Sequence, residues 1–354
     1  MPRIFRVLCL IMISCTFVVS CRMSLIEQAD LLFADYTGER PGAAVLVIKN
    51  GEPIFKKAYG LAHVEEKIAA TTAHNFRLAS ITKQFTAMCL MQLVEAGKLT
   101  YETSLTEIFT DFPEYGHAIT IRHLLQHTSG LVDYEDVIPD SITRQVLDHD
   151  VLMLMRAQDS TYFAPGAKFR YSNSGYAVLA LVVEKVSGKS FATYLHENIF
   201  TPLKMSNSVA YEPGVSEVGK RAMGYRVEGE KIVFSDQSQT SAVLGDGGIY
   251  SSIEDLSQWE QALYTNMLVS TATLTQAFTP GMRSDGAKLE YGFGWFLDEY
   301  RGHQRMRHSG STCGFRNELQ LYPESKSAVI ILTNRAEPEV ETLAHKLADM
   351  FLLE

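Results

Sequence analysis

Apolar residues follow the period of strands near the two ends of the chain and the period of helices between them. Ala44-Val45-Leu46-Val47-Ile48 is a continuous apolar run of strand length. Asn50-Gly51 is the pair that favours a tight turn, and Pro53 to Tyr59 completes a predicted hairpin over Gly42–Tyr59. Far along the chain, a second group reads as a four-strand meander. It runs from Tyr291 to Glu299, turns at Arg301-Gly302 into Gln304 to His308, then continues as Phe315 to Tyr322, a turn at Pro323-Glu324, and Ala328 to Thr333. Helical spacing brackets both groups, over Leu25 to Phe33 and Val340 to Leu352. In the middle, Ser80 to Ala96 ends at Gly97, Tyr176 to Val186 ends at Gly188, and a small hairpin is expected over Ala222 to Phe234 around Glu228-Gly229.

Strand-rich ends around a helix-rich centre predict an α+β fold. One antiparallel sheet, flanked by the terminal helices, is built from about 25–76 and 285–354, and an all-helical lobe is inserted over about 77–284. A ligand cleft belongs between the lobes.

Residues 1–20 do not fit this scheme. Arg3 and Arg6 precede an apolar stretch from Val7 to Val19 that is too short to span a bilayer, and Ser20 precedes Cys21, the arrangement of a secretory leader. Val18-Val19-Ser20-Cys21 also resembles a bacterial lipobox, which makes Cys21 a candidate for lipidation and predicts an extracytoplasmic, membrane-attached mature chain over 21–354. Loss of the leader removes Cys9 and Cys15. Cys21, Cys89 and Cys313 remain, too few for a disulfide framework, and nothing requires Cys89 and Cys313 to pair. With 32 Lys+Arg against 41 Asp+Glu and no run of five basic residues, nucleic acid is excluded as a partner.

The candidate chemistry lies in three short motifs. Ser80-Ile81-Thr82-Lys83 is the one Ser-x-x-Lys of the chain, and helical spacing puts Ser80 and Lys83 on one face. A serine hydroxyl is a weak nucleophile until a base takes its proton, and Lys83 serves only if its surroundings favour the neutral amine. Tyr171-Ser172-Asn173, expected on a loop, offers a phenol that can share proton transfer with Lys83 and a carboxamide able to hold a substrate amide. Tyr264-Thr265-Asn266 repeats the pattern but lies at the end of a helix-like run and is set aside. His308-Ser309-Gly310 closes a predicted sheet edge, where Gly310 lets a substrate backbone approach. The amides of Ser311 and Ser80 are then candidates for the two halves of an oxyanion hole. His123 and His127 are four apart, but Leu124 stands where a His-Glu-x-x-His zinc site needs Glu, so no metal is expected. Gly245-Asp246-Gly247-Gly248 lacks the Lys of a phosphate loop, and the Gly-x-Ser-x-Gly elbow of another serine-hydrolase class is absent.

Taken in order, Ser80-x-x-Lys83, Tyr171-x-Asn173 and His308-x-Gly310 resemble the motifs of the penicillin-recognising serine hydrolases: class C β-lactamases, D-alanyl-D-alanine peptidases and related esterases. Stretches such as Leu124-Leu125-Gln126-His127-Thr128-Ser129-Gly130-Leu131 and Gly245 to Trp259 extend the likeness over nearly the whole mature chain. The resemblance implies Ser80 as the acylated nucleophile, Lys83 and Tyr171 as the proton-transfer pair, and Asn173, His308, Ser309, Gly310 and Ser311 around the substrate, with no cofactor. It implies a small-molecule or peptide substrate: D-amino-acid-containing peptides, or small esters and amides. The alternatives are a class C-like β-lactamase and a non-catalytic scaffold of the same fold.

His308 departs from the Lys that β-lactamases of this group usually carry there. A histidine with an ordinary pKa near ~6.5 predicts weaker, pH-dependent recognition of a substrate carboxylate. The class A Glu-x-x-Leu-Asn that activates a deacylating water is absent, which predicts slow turnover of a penicilloyl-enzyme. The loops Asp133 to Gln158 and Gly281 to Lys288 are expected to shape the pocket.

Overall fold

The computed structural model describes residues 23–353; the expected leader over 1–20 and Cys21 lie outside the described residues. The main sheet has six strands: β1 Ala43–Lys49, β2 Glu52–Tyr59, β3 Phe296–Tyr300, β4 His303–Thr312, β5 Phe315–Tyr322 and β6 Ser327–Thr333. Their spatial order is β3-β4-β5-β6-β1-β2, antiparallel throughout, with Ala43 opposite Thr333 and Ile48 opposite Ala328 where the two ends of the chain meet.

β1 is apolar at successive positions because both of its faces are buried. Val45 and Val47, with Val329 and Ile331 of β6, face Ala29, Phe33, Ala344 and Leu347 of the terminal helices Leu25–Leu32 and Glu341–Phe351. Leu46 and Ile48, with Ile330 and Leu332, face the inserted lobe. Full burial of one such side chain contributes roughly 1.5–3 kcal/mol. The sheet is therefore the layer that joins the two cores.

The inserted lobe is built on the helices Thr82–Glu95 and Asn173–Ser187. The second begins three residues before its apolar period shows, because the Ser172 hydroxyl accepts the N–H of Gly175 and caps it; Gly188 ends it at φ +73. Asn173 therefore sits on the first helical residue, not on a loop. The lobe also carries strands too short to show a period: Phe76–Arg77, Ile249–Ser251 and Val209–Ala210 form a three-stranded sheet. The hairpin expected over 222–234 appears as Tyr225–Glu228 paired with Lys231–Phe234. Cys89 and Cys313 are both free.

Candidate active site

The segment before Ser80 is fixed from two sides. Leu78 N–H donates to the Ile249 carbonyl (2.8 Å), and Asn317 Nδ2 on β5 donates to the Arg77 carbonyl (2.8 Å). Ala79 is held at φ +49, a conformation costing an L-residue about 1–2 kcal/mol. The helix expected from Ser80 opens instead with a 3₁₀ turn, Ala79–Ile81. β4 lies so close behind that a Cβ on Gly310 would stand 2.0 Å from the Leu78 carbonyl oxygen. Only glycine fits there.

Lys83, one turn along, is wholly buried. Its Nζ lies 3.1 Å from Ser80 Oγ, 2.9 Å from Asn173 Oδ1 and 2.8 Å from the Asp246 carbonyl oxygen. Two of these partners can only accept, whereas the serine hydroxyl can accept or donate. An ammonium would use all three donors; a free amine would donate twice and offer its lone pair to the Ser80 hydroxyl. The same geometry thus accommodates either state of the lysine.

The Asp246 carbonyl is itself held in place. Buried Asp148 accepts the N–H groups of Leu244 and Gly245 at 2.7 and 2.9 Å, Thr86 Oγ1 donates to the Gly245 carbonyl, and Tyr134 donates to the Asp246 carboxyl (3.1 Å). Burial raises Asp148 to about 7 and Asp246 to about 6, the latter opposed by the nearby Lys83 charge. The segment Gly245–Gly248, which in the sequence showed only the lack of a phosphate-loop Lys, therefore anchors Lys83.

Tyr171 closes the other side of Lys83, whose Nζ lies 4.9 Å from the ring centroid. Its ring lies against His127 (centroids 4.3 Å apart), and its hydroxyl is buried without a hydrogen-bond partner among the described residues. His127 stands just beyond the helix Ile121–Leu125 at φ +57, off the face that would pair it with His123. Its Nδ1 accepts the Ser172 N–H at 3.0 Å, and burial followed by the Lys83 charge holds it neutral, far below the ordinary histidine range.

His308 departs furthest from its sequence reading. It is 2% exposed, behind Tyr171, with Nδ1–H donating to the Ser309 carbonyl (2.7 Å) and Nε2 accepting from Tyr291 (3.1 Å). Burial, then the Lys83 charge, lowers its pKa to about 3. The pH-dependent carboxylate recognition expected of it is thus removed: it carries no charge near neutrality and does not titrate there. The cleft beside Ser80 is lined by Asn173, Ser311 and Thr312, by Tyr134 and Glu135 from a loop expected to shape it, and, not singled out in the sequence, by Arg77 and Asp246. Ser309 and His308 are not among its lining residues. β4 reaches Thr312, so His308-Ser309-Gly310 falls within the strand; but β3 pairs it only as far as Arg307, and from His308 onward its outer edge has no strand partner among the described residues. Such an edge can pair with an extended backbone. The loop 133–158 supplies Tyr134 and Glu135, whereas 281–288 lines none of the cleft and instead packs on Gly166 through Ser284.

A family model described as Beta-lactamase matches residues 29–352. The chain belongs to the beta-lactamase family. Within this family, it is 34% identical over 328 residues to penicillin-binding protein 4* of Bacillus subtilis, covering 87% of this chain and 71% of that one. A D-aminopeptidase of Brucella canis is 28% identical over 301 residues, 83% of this chain and 56% of the relative. Among solved structures, the octameric penicillin-binding protein homologue from Pyrococcus abyssi has a TM-score of 0.78 at 27% identity, covering 92% of this chain and 76% of that one. A D-amino acid amidase from Ochrobactrum anthropi shares the fold, with a TM-score of 0.76 at 22% identity over 92% of this chain and 96% of that one. The beta-lactamase-family fold, with its flanked antiparallel sheet and inserted helical lobe, is thus established, and the chain is a serine hydrolase of the penicillin-recognising group.

Proposed function

We propose that this serine hydrolase works outside the cytoplasm, attached to a membrane through lipidated Cys21. It cleaves D-amino-acid-containing peptides or small esters and amides through an acyl-enzyme on Ser80, without a cofactor. The observation that carries the reading is the triple contact of buried Lys83 with Ser80, Asn173 and the Asp246 carbonyl. In the proposed reaction, Ser80 Oγ attacks the substrate carbonyl carbon as its proton passes to Lys83, with Tyr171 as the second proton-transfer group. The amides of Ser80 and Ser311 face the resulting oxyanion. Collapse breaks the bond to the leaving amine or alcohol, which takes a proton from the same pair, and water then releases the acid and restores Ser80. Asn173 holds the substrate's acyl side, and the free edge of β4 receives its backbone.

Neutral His308 supports peptide or ester substrates over efficient β-lactam hydrolysis, since it supplies no cation for the drug's carboxylate. Intact mass spectrometry after incubation with a fluorescent penicillin and with p-nitrophenyl acetate tests the reading. A persistent penicilloyl mass on the wild type, absent in Ser80→Ala, supports a slowly deacylating peptidase-like enzyme, and fast ester turnover without that adduct supports the esterase form. Equal labelling of wild type and Ser80→Ala overturns the role of Ser80. Nitrocefin turnover approaching ~10⁴ M⁻¹s⁻¹ or more in kcat/KM would establish a β-lactamase instead.

A further inference from the structure

An acyl-enzyme is released only when water attacks it, and water is a weak nucleophile until a base takes its proton. The class A glutamate that could do so is missing from the chain. Asp246 stands where it can replace it. Its backbone carbonyl holds Lys83 Nζ at 2.8 Å, and its side chain lines the cleft beside Ser80, only 7% exposed. Tyr134 donates to Oδ2 (3.1 Å), which leaves Oδ1 without a hydrogen-bond partner among the described residues. Glu135, the other carboxylate lining the cleft, is exposed and already accepts from Asn173. The space among these side chains is about 60 Å³, whereas one water needs about 10–15 Å³. Thr240 and Thr312 line the same space, so a water held there has polar partners besides Asp246.

We infer that Asp246 is a catalytic residue of deacylation, the base that takes a proton from the water attacking the acyl-Ser80 ester. This rests on the proposed Ser80 acyl-enzyme and deepens it. Water gives a proton to Asp246 Oδ1 as its oxygen bonds the acyl carbon. The bond from that carbon to Ser80 Oγ then breaks, and the proton passes from Asp246 through the Lys83 amine to Oγ, 3.1 Å from Nζ. The acid departs, Asp246 is again a carboxylate and Lys83 again an amine, so the cycle closes with no further reactant. Burial raises the Asp246 carboxyl to about 6, opposed by the charges of Lys83 and Arg77 and the Tyr134 hydrogen bond; Glu135 adds to the rise, and Asp148 is its other acidic neighbour. Such a base is ionised at neutral pH and still able to accept a proton. An acyl group bulky enough to fill the space displaces the water and turns over slowly.

The test follows p-nitrophenyl acetate with wild type and Asp246→Asn, by stopped-flow absorbance and intact mass spectrometry. Asn keeps an acceptor for Tyr134 but cannot take the proton. The variant is expected to release its first equivalent of p-nitrophenol within about threefold of the wild-type rate, then to turn over about 10²-fold or more slowly, with acetyl-Ser80 accumulating. Hydroxylamine, which attacks the ester without a base, should restore turnover of the variant far more than that of wild type. Unchanged turnover, an equal loss in both phases, or no rescue overturns the inference. Tyr134→Phe gives a second test that does not depend on folding of the Asn variant. Loss of the hydrogen bond that holds the carboxyl down should move the acid limb of deacylation to higher pH, and an unmoved limb overturns the inference. These outcomes leave the acyl-enzyme in place, whereas wild-type Ser80 that is never acetylated removes both.

Discussion

The two walls of the cleft handle polarity in opposite ways. On the helical-lobe side, a buried lysine and two buried carboxyl groups are matched bond for bond: Lys83 with Ser80, Asn173 and the Asp246 carbonyl, Asp148 with two backbone amides, Asp246 with Tyr134. On the strand side, behind the residues that line the cleft, His308, Tyr291 and Phe296, with His127 from the inserted lobe, form an aromatic cluster in which burial suppresses charge. The difference teaches where acid–base chemistry can take place. A hydrogen-bonded pocket stabilises a proton on either of two partners, whereas an apolar one fixes a single neutral state. In the proposed mechanism the proton transfers therefore belong to the helical wall, and the cluster behind the strand stays in one neutral state.

Tyr171 belongs to both walls, with its ring among the aromatics and its hydroxyl unpartnered, so it gives the sharpest test. Tyr171→Phe is expected to lower kcat/KM by about 10²-fold or more, the usual share of a proton-transfer group. Because no hydrogen bond is lost, its thermal stability should stay within about 1 kcal/mol of wild type. Parallel loss of stability and activity would make Tyr171 a packing residue and erase the distinction between the walls.

Asp148 tests the helical wall from behind. Asp148→Ala strands two buried amides and frees the segment that anchors Lys83; urea unfolding should show a loss of about 2–4 kcal/mol, with kcat falling more than KM changes. Unchanged kcat in a folded variant would show that the Asp246 carbonyl does not position Lys83.

The strand wall has a smaller, pH-dependent signature. With its folded pKa depressed to about 3, His308 contributes stability that is fully present above the unfolded value near ~6.5 and is lost as pH falls towards 3. Relative to His308→Gln, the wild type should therefore lose about 1.4 kcal/mol per pH unit below ~6.5, measured by denaturant titration at a series of pH values. A constant difference would mean that His308 titrates normally and that the wall can carry charge.

Much of the fold could be read because its cues are local. A six-strand sheet joined from both ends follows from runs such as Ala44–Ile48 and from turn pairs such as Asn50-Gly51. The three motifs were legible because each is short and contiguous, and Ser80, Lys83 and Asn173 do converge. What escaped is tertiary. Glu135 and Asp148 are ordinary acidic residues until the fold brings one beside Asn173 and the other beneath Leu244 and Gly245. The state of His308 depends on burial behind Tyr171, which no spacing encodes. Arg77 did carry a signal, a charge interrupting the apolar run Phe76-Arg77-Leu78-Ala79.

The pairing of β1 with β6 fixes the order of events in folding. Ala43 waits for Thr333, and a contact between such distant parts of the chain is slow to close because the entropy of the intervening loop must be overcome first. Until then the hairpin β1–β2 presents Ala43-Ala44-Val45-Leu46-Val47-Ile48 with an open edge, the kind of surface that recruits strands from other molecules. A chain cut short before Ser327 would keep Ser80 and Lys83 yet leave this edge permanently unpaired, and it would be lost to aggregation rather than to failed chemistry.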